Sequence, residues 1–117
     1  MSTNNGAKSK KQPVALFNGT VVTTNGVYRI SDITIDEAKE LIKEYGYISA
    51  IGHEATAEAM SDLLEVSVTM NRIQFYQGIG QKAIVLKLNI RPAEGAILNR
   101  PEIESIGYSL KLMERLE

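Results

Sequence analysis

Four consecutive apolar residues, Val14-Ala15-Leu16-Phe17, stop at Asn18-Gly19. A run this short, without polar alternation, reads as a buried strand that runs into a turn. Such a strand needs pairing partners and cover, and the residues that follow have the patterns to supply both. Thr20 to Thr24 and Val27 to Ile30 are β-branched segments around Asn25-Gly26, the dipeptide that most strongly signals a two-residue hairpin. Thr34 and Glu37 form a Thr-x-x-Glu capping box, and Ile35, Ala38, Leu41 and Ile42 behind it have helical spacing up to a stop near Tyr45-Gly46. Tyr47 to Ile51 reads as a strand that Gly52 turns directly into a second helix, from about Glu54 to Glu65, with Ala57, Met60, Leu63 and Leu64 facing inward.

Arg72 to Tyr76 and Lys82 to Ile90 are expected to form another strand pair across the turn Gln77-Gly78-Ile79-Gly80. A short helical turn begins near Pro101-Glu102, and a last strand spans Ile106 to Met113. The expected fold class is α/β or α+β: a single domain with a mixed sheet of five or six strands covered by two main helices.

Composition narrows the chemistry. At 117 residues the chain has room for one domain and one core. It holds no cysteine, which removes disulfides, thiol nucleophiles and thiolate-bound zinc, and one histidine, which removes two-histidine metal motifs. The formal net charge of −1 argues against a bulk electrostatic grip on duplex DNA. No apolar run approaches the roughly 20 residues of a membrane span, and no signal peptide is evident, so a soluble cytoplasmic domain is expected. Residues 1–12 carry Lys8, Lys10 and Lys11 and no acid, and read as a disordered basic leader ahead of a domain over residues 13–117.

The lone histidine lies in Ile51-Gly52-His53-Glu54-Ala55-Thr56. A strand–glycine–helix junction presents free backbone N–H groups and the positive end of a helix dipole, which suit phosphate. An imidazole there could give a proton to a departing oxygen; equally, His53 could merely cap the helix or fill the edge of its apolar face. Arg91-Pro92-Ala93-Glu94-Gly95 is the second candidate: Arg91, fixed by a proline just past a strand end, suits bidentate phosphate recognition, and Glu94 could orient a histidine or a ribose hydroxyl. As an exposed ion pair the segment needs no function. Asn71-Arg72 at a strand start is a weaker candidate of the same kind, and Asn18-Gly19 lies at a strand end, where open α/β sheets bind ligands. Gly78-Ile79-Gly80 lacks the third glycine and following helix of a dinucleotide fingerprint. No carboxylate cluster has metal-ligand spacing, so no metal or cofactor is expected.

Taken in order, Ile51-Gly52-His53-Glu54-Ala55-Thr56, Asn71-Arg72 and Arg91-Pro92-Ala93-Glu94-Gly95-Ala96-Ile97-Leu98 resemble the viral anti-CRISPR ring nucleases that act against type III CRISPR systems. The likeness is densest from Ser49 to Leu98 and extends back to Leu16-Phe17-Asn18. The resemblance implies a homodimer that binds cyclic tetra-adenylate and cleaves it without metal, the ribose 2′-hydroxyl attacking the neighbouring phosphorus to leave linear di-adenylate with a 2′,3′-cyclic phosphate. It implies His53 as general acid, Arg91 on the scissile phosphate and Glu94 orienting the site. Asn18, Gly19, Gly52, Arg72, Lys87 and Arg91 would contact ligand, and segment 19–31 would move over it. The alternatives are a non-catalytic sponge that sequesters a cyclic oligonucleotide and a host regulatory dimer.

Overall fold

The computed structural model describes residues 12–19, 22–90 and 99–117. The elements are β1 (Val14–Phe17), β2 (Tyr28–Asp32), α1 (Ile35–Tyr45), β3 (Tyr47–Ser49), α2 (Glu54–Leu64), β4 (Lys82–Leu88), α3 (Arg100–Ile106) and β5 (Tyr108–Arg115). The strands form one sheet in the order β2-β5-β4-β1-β3. β1 pairs in parallel with β3 (Leu16 opposite Ser49) and with β4 (Phe17 opposite Val85). β5 runs antiparallel to β4 and to β2. The mixed five-stranded α+β domain expected from sequence is therefore present, with a third, short helix.

Alternation along the strands separates two apolar layers. Val14, Leu16, Ile84, Leu86 and Leu110 face the helices and pack with Ala38, Ile42, Met60, Leu63 and Ile103. Ala15, Ala83, Val85 and Met113 face the other way, where Phe17, Tyr28, Ile48 and Phe75 cover them. The helices thus share one face of the sheet, and on the opposite face irregular chain contributes Phe75 to the cover.

The start of α1 is built as its sequence dictates. The Thr34 hydroxyl accepts from the Glu37 N–H, and the Glu37 carboxylate accepts from the Thr34 N–H. α3 repeats the device with Asn99 and Glu102, and Pro101 sits in its first turn. The last strand starts two residues later than expected, at Tyr108, because α3 runs to Ile106 and Gly107 follows it.

Two expectations fail. Asn25-Gly26 does not close a β-hairpin: β2 pairs with β5 instead (Ile30 opposite Met113), and residues 22–27 form no strand. Gly26 has no left-handed backbone; it is small because a Cβ there would overlap the Glu117 carbonyl oxygen. Thr20 and Val21, the start of that expected strand, lie outside the described residues. Nor is Arg72 to Tyr76 a strand paired with β4, since both edges of β4 are already taken by β1 and β5. Gln77 supplies the join through its side chain, its amide donating to the Gln81 and Met113 carbonyls.

Replacing Thr34 by Ala should cost about 1 kcal/mol of stability, the usual worth of an N-cap. Hydrogen bonds from the Thr34 backbone and side chain hold the Glu37 carboxyl below its ordinary pKa. A lowered carboxyl contributes stability above its unfolded-state pKa and loses it as pH falls through the folded value. Urea denaturation from neutral to acid pH should therefore show the advantage of wild type over Glu37→Gln, whose amide can keep the box without titrating, shrinking as the solution is acidified. An advantage that does not change with pH would contradict this.

Candidate functional site

The parallel pairing of β1 with β3 and β4 brings three carboxyl-terminal strand ends to one edge of the sheet. That edge is where open α/β sheets hold ligands. A cleft of about 640 Å³ lies there, and its walls include Phe17, Asn18, Gly19, Gly52, Arg72 and Phe75. Four of the six residues expected to contact ligand, Asn18, Gly19, Gly52 and Arg72, are therefore gathered in one place.

Gly52 is held from both sides. Its N–H points to the Asn18 side-chain oxygen at 3.5 Å, and its carbonyl accepts from Arg72 Nε at 2.7 Å. Ala50 N–H donates to the Leu16 carbonyl and so carries the β1–β3 ladder to the edge of this turn. With Nε spent on Gly52, the guanidinium is fixed in direction, and its two terminal nitrogens have no partner among the described residues. This leaves a forked donor of the kind that recognises phosphate or carboxylate. The Asn18 amide nitrogen is likewise without a partner among the described residues.

His53 is the N-cap residue of α2, in extended backbone conformation, and its side chain makes no cap hydrogen bond. The capping role considered for it is thus absent, and the first-turn amides of α2 keep no acceptor from their cap residue. The imidazole is half-buried and adjoins Gly52 in sequence, although the cleft wall itself ends at Gly52. Lys87 is exposed on β4, opposite Ser109. It is not among the residues that line the cleft. Arg91 and Glu94 lie outside the described residues.

Sequence reading missed the apolar wall. Phe17 and Phe75 meet edge to face with ring centroids 5.8 Å apart, and Thr23 ties the neighbouring chain to the cleft by donating to the Phe75 carbonyl. Irregular chain contributes Thr23 and Phe75, so no periodicity marks either one. A second hollow of about 650 Å³ opens beside the start of α1, lined in part by Thr34, Lys39, Glu65 and Arg100. Its cations are already engaged, Lys39 with Glu65 and Arg100 with Glu104. Among the described residues there is no cluster of three or more metal-ligating side chains and no helix long and apolar enough to cross a membrane.

A Cβ added to Gly52 would come within 3.2 Å of Arg72 Cγ. Gly52→Ala should fold, but it should push the arginine stem away and loosen its bond to the Gly52 carbonyl. The Arg72 Nε–H signal in NMR should then exchange with solvent faster than in wild type; equal exchange would show that the contact is slack.

The sequence profile of a family described as STIV B116-like matches residues 14–110. Among similar proteins, uncharacterized protein 26 of a Sulfolobus islandicus filamentous virus is 40% identical over 89 residues, covering 75% of each chain. Uncharacterized protein YddF of Bacillus subtilis is 37% identical over 106 residues, covering 89% of this chain and 98% of its own. Uncharacterized protein ORF117 of Acidianus two-tailed virus is 37% identical over 93 residues, covering 77% and 80%. The solved structure of B116 from Sulfolobus turreted icosahedral virus superposes with a TM-score of 0.72 at 23% identity, covering 88% of this chain and 99% of that one, and so shares the fold.

Proposed function

The chain belongs to the STIV B116-like family, and from that premise and the geometry of the cleft we propose that it is a ring nuclease, a phosphodiesterase that opens cyclic tetra-adenylate without a metal. One observation carries the reading. The lone histidine follows a glycine whose N–H and carbonyl are held by Asn18 and Arg72, at the uncapped start of a helix. An anion at that turn would meet helix amides, a directed guanidinium and an imidazole together.

In the proposed reaction a ribose 2′-oxygen bonds to the adjacent phosphorus, and the bond from phosphorus to the 5′-oxygen breaks. The 2′-hydroxyl proton goes to solvent, and His53 donates a proton to the departing 5′-oxygen. The product end is a 2′,3′-cyclic phosphate, and the other end is a 5′-hydroxyl. Arg72 would hold the ring, and Arg91 and Glu94 would complete the site at the scissile phosphate. The 2′-hydroxyl is a nucleophile already attached to its target, so most of the catalytic work is alignment.

A four-fold ring contains a two-fold axis, so a symmetric pair of chains could present the same surface to opposite phosphates. Two cuts would then give two linear di-adenylates from one histidine per chain. Exposed apolar side chains support a second copy, among them Val27, Ile30, Ile73, Tyr76 and Ile79. Ile30 shares the helix-free face of the sheet with Met113. An enzyme of this kind, placed in a virus, would switch off the effectors of type III CRISPR immunity. The second reading, a sponge that binds the ring and leaves it whole, draws on the position of His53 just outside the cleft wall.

Incubating wild type and His53→Ala with cyclic tetra-adenylate, with and without chelator, decides between them. The nuclease reading predicts linear di-adenylate in either buffer and a loss of about 10²–10⁴-fold in the variant, the usual worth of a positioned general acid. Tight binding with the ring intact would establish the sponge. Equal cleavage by His53→Ala would remove the histidine from the mechanism.

A further inference from the structure

β3 is the edge strand of the sheet, and its outer side is closed in an unusual way. The return chain after α2 runs alongside it, and the contacts advance along both segments at a constant offset of 20. The Tyr47 hydroxyl donates to the Ser67 carbonyl at 2.7 Å, and the Ser49 hydroxyl donates to the Thr69 carbonyl at 2.6 Å. The Asn71 N–H donates to the Ile51 carbonyl at 2.7 Å, and Arg72 Nε donates to the Gly52 carbonyl. A strand ladder would make such contacts between main chains; here side chains make most of them, and they converge on the turn before His53.

Ser49 and Asn71 each join this seam through both side chain and main chain. Besides its bond to Thr69, the Ser49 hydroxyl accepts from the Ile51 N–H at 3.3 Å. Besides its main-chain bond, the Asn71 amide donates to the Ser49 carbonyl at 2.8 Å. Further back, Ser61 on α2 bonds both the N–H and the carbonyl of Val68. Residues 49–72 therefore form a closed circuit of strand, turn, helix and return chain, fastened where the turn meets Arg72.

We propose that Ser49 and Asn71 are positioning residues, which touch no substrate and fix the direction in which the turn presents His53 and Arg72. The inference rests on the nuclease reading for its chemistry; its geometry stands apart from that reading. Misplacing an aligned group by about 1 Å is enough to cost about 100-fold in rate. Slack in this seam should therefore reach the chemical step before it reaches the fold.

The test uses Ser49→Ala, Asn71→Ala and the conservative Ser49→Thr, each compared with wild type. Two readouts are taken: the single-turnover rate on saturating cyclic tetra-adenylate, and the imidazole proton resonance of the chain's one histidine. Ser49→Ala and Asn71→Ala should each slow cleavage by about tenfold or more, while Ser49→Thr stays within about threefold, because it keeps the hydroxyl. The histidine signal should shift or broaden in the two alanine variants and not in Ser49→Thr, with melting temperatures close to wild type. Unchanged rate and unchanged signal would overturn the proposal, as would a slowed Ser49→Thr or losses that simply follow lowered melting temperatures. If wild type leaves the ring intact, the nuclease reading falls and the histidine resonance decides the positioning role alone: moved in the alanine variants, the role stands; unmoved, it falls.

Discussion

The structure depends on the burial and two-sided pairing of β1. Val14, Ala15 and Leu16 have essentially no exposed surface, and each pairs in parallel with a residue of β3. β4 pairs in parallel along the other side. A strand buried on both faces with polar backbone on both edges must have a partner on each edge, because an orphaned amide in such a place costs about as much as a lost hydrogen bond. Parallel pairing then requires crossovers, and α1 and α2 lie within them. With β1, β3 and β4 parallel, three strand ends meet on one edge, and the loops that carry Asn18, Gly52 and Arg72 are brought together there.

The cleft's electrostatics follow from scarcity. A chain with net charge −1 cannot hold a polyanion by bulk attraction. In the proposed reading the attraction comes from directed groups: the open amides at the start of α2 and a guanidinium oriented by Gly52. The cations that line the hollow beside α1 are paired, Lys39 with Glu65 and Arg100 with Glu104. Arg72 differs from them in that its bond goes to the Gly52 carbonyl through Nε, which leaves both terminal nitrogens without a partner among the described residues.

Local rules made parts of this legible from sequence and left other parts dark. The α1 start was readable because a capping box is a contact over three residues, and Thr34 and Glu37 have no competing partner. The Gly52 junction could be read because a glycine separates a strand from a helical pattern, whereas its neighbourhood to Asn18 depends on the parallel pairing of β1 with β3, which no local pattern contains. Residues 69–78 could not, because their bonds go through Asn71, Arg72 and Gln77 side chains to chain far away in sequence. Asn25-Gly26 misled for a related reason: its glycine answers to the chain end at Glu117, a contact over 90 residues that no turn rule contains. The apolar wall of Phe17 and Phe75 has the same origin, since one ring is in a strand and the other in irregular chain.

The central claim is that the ligand supplies its own nucleophile and His53 the proton for the leaving group. It is tested most directly by offering the protein cyclic tetra-adenylate methylated on every 2′-oxygen, beside the unmodified ring, and following both by mass spectrometry. The account predicts that the methylated ring is bound and remains whole while the unmodified ring is cut to di-adenylate ending in a 2′,3′-cyclic phosphate. Cleavage of the methylated ring at the rate of the unmodified one, or a product ending in an open 3′-phosphate from the outset, would contradict it.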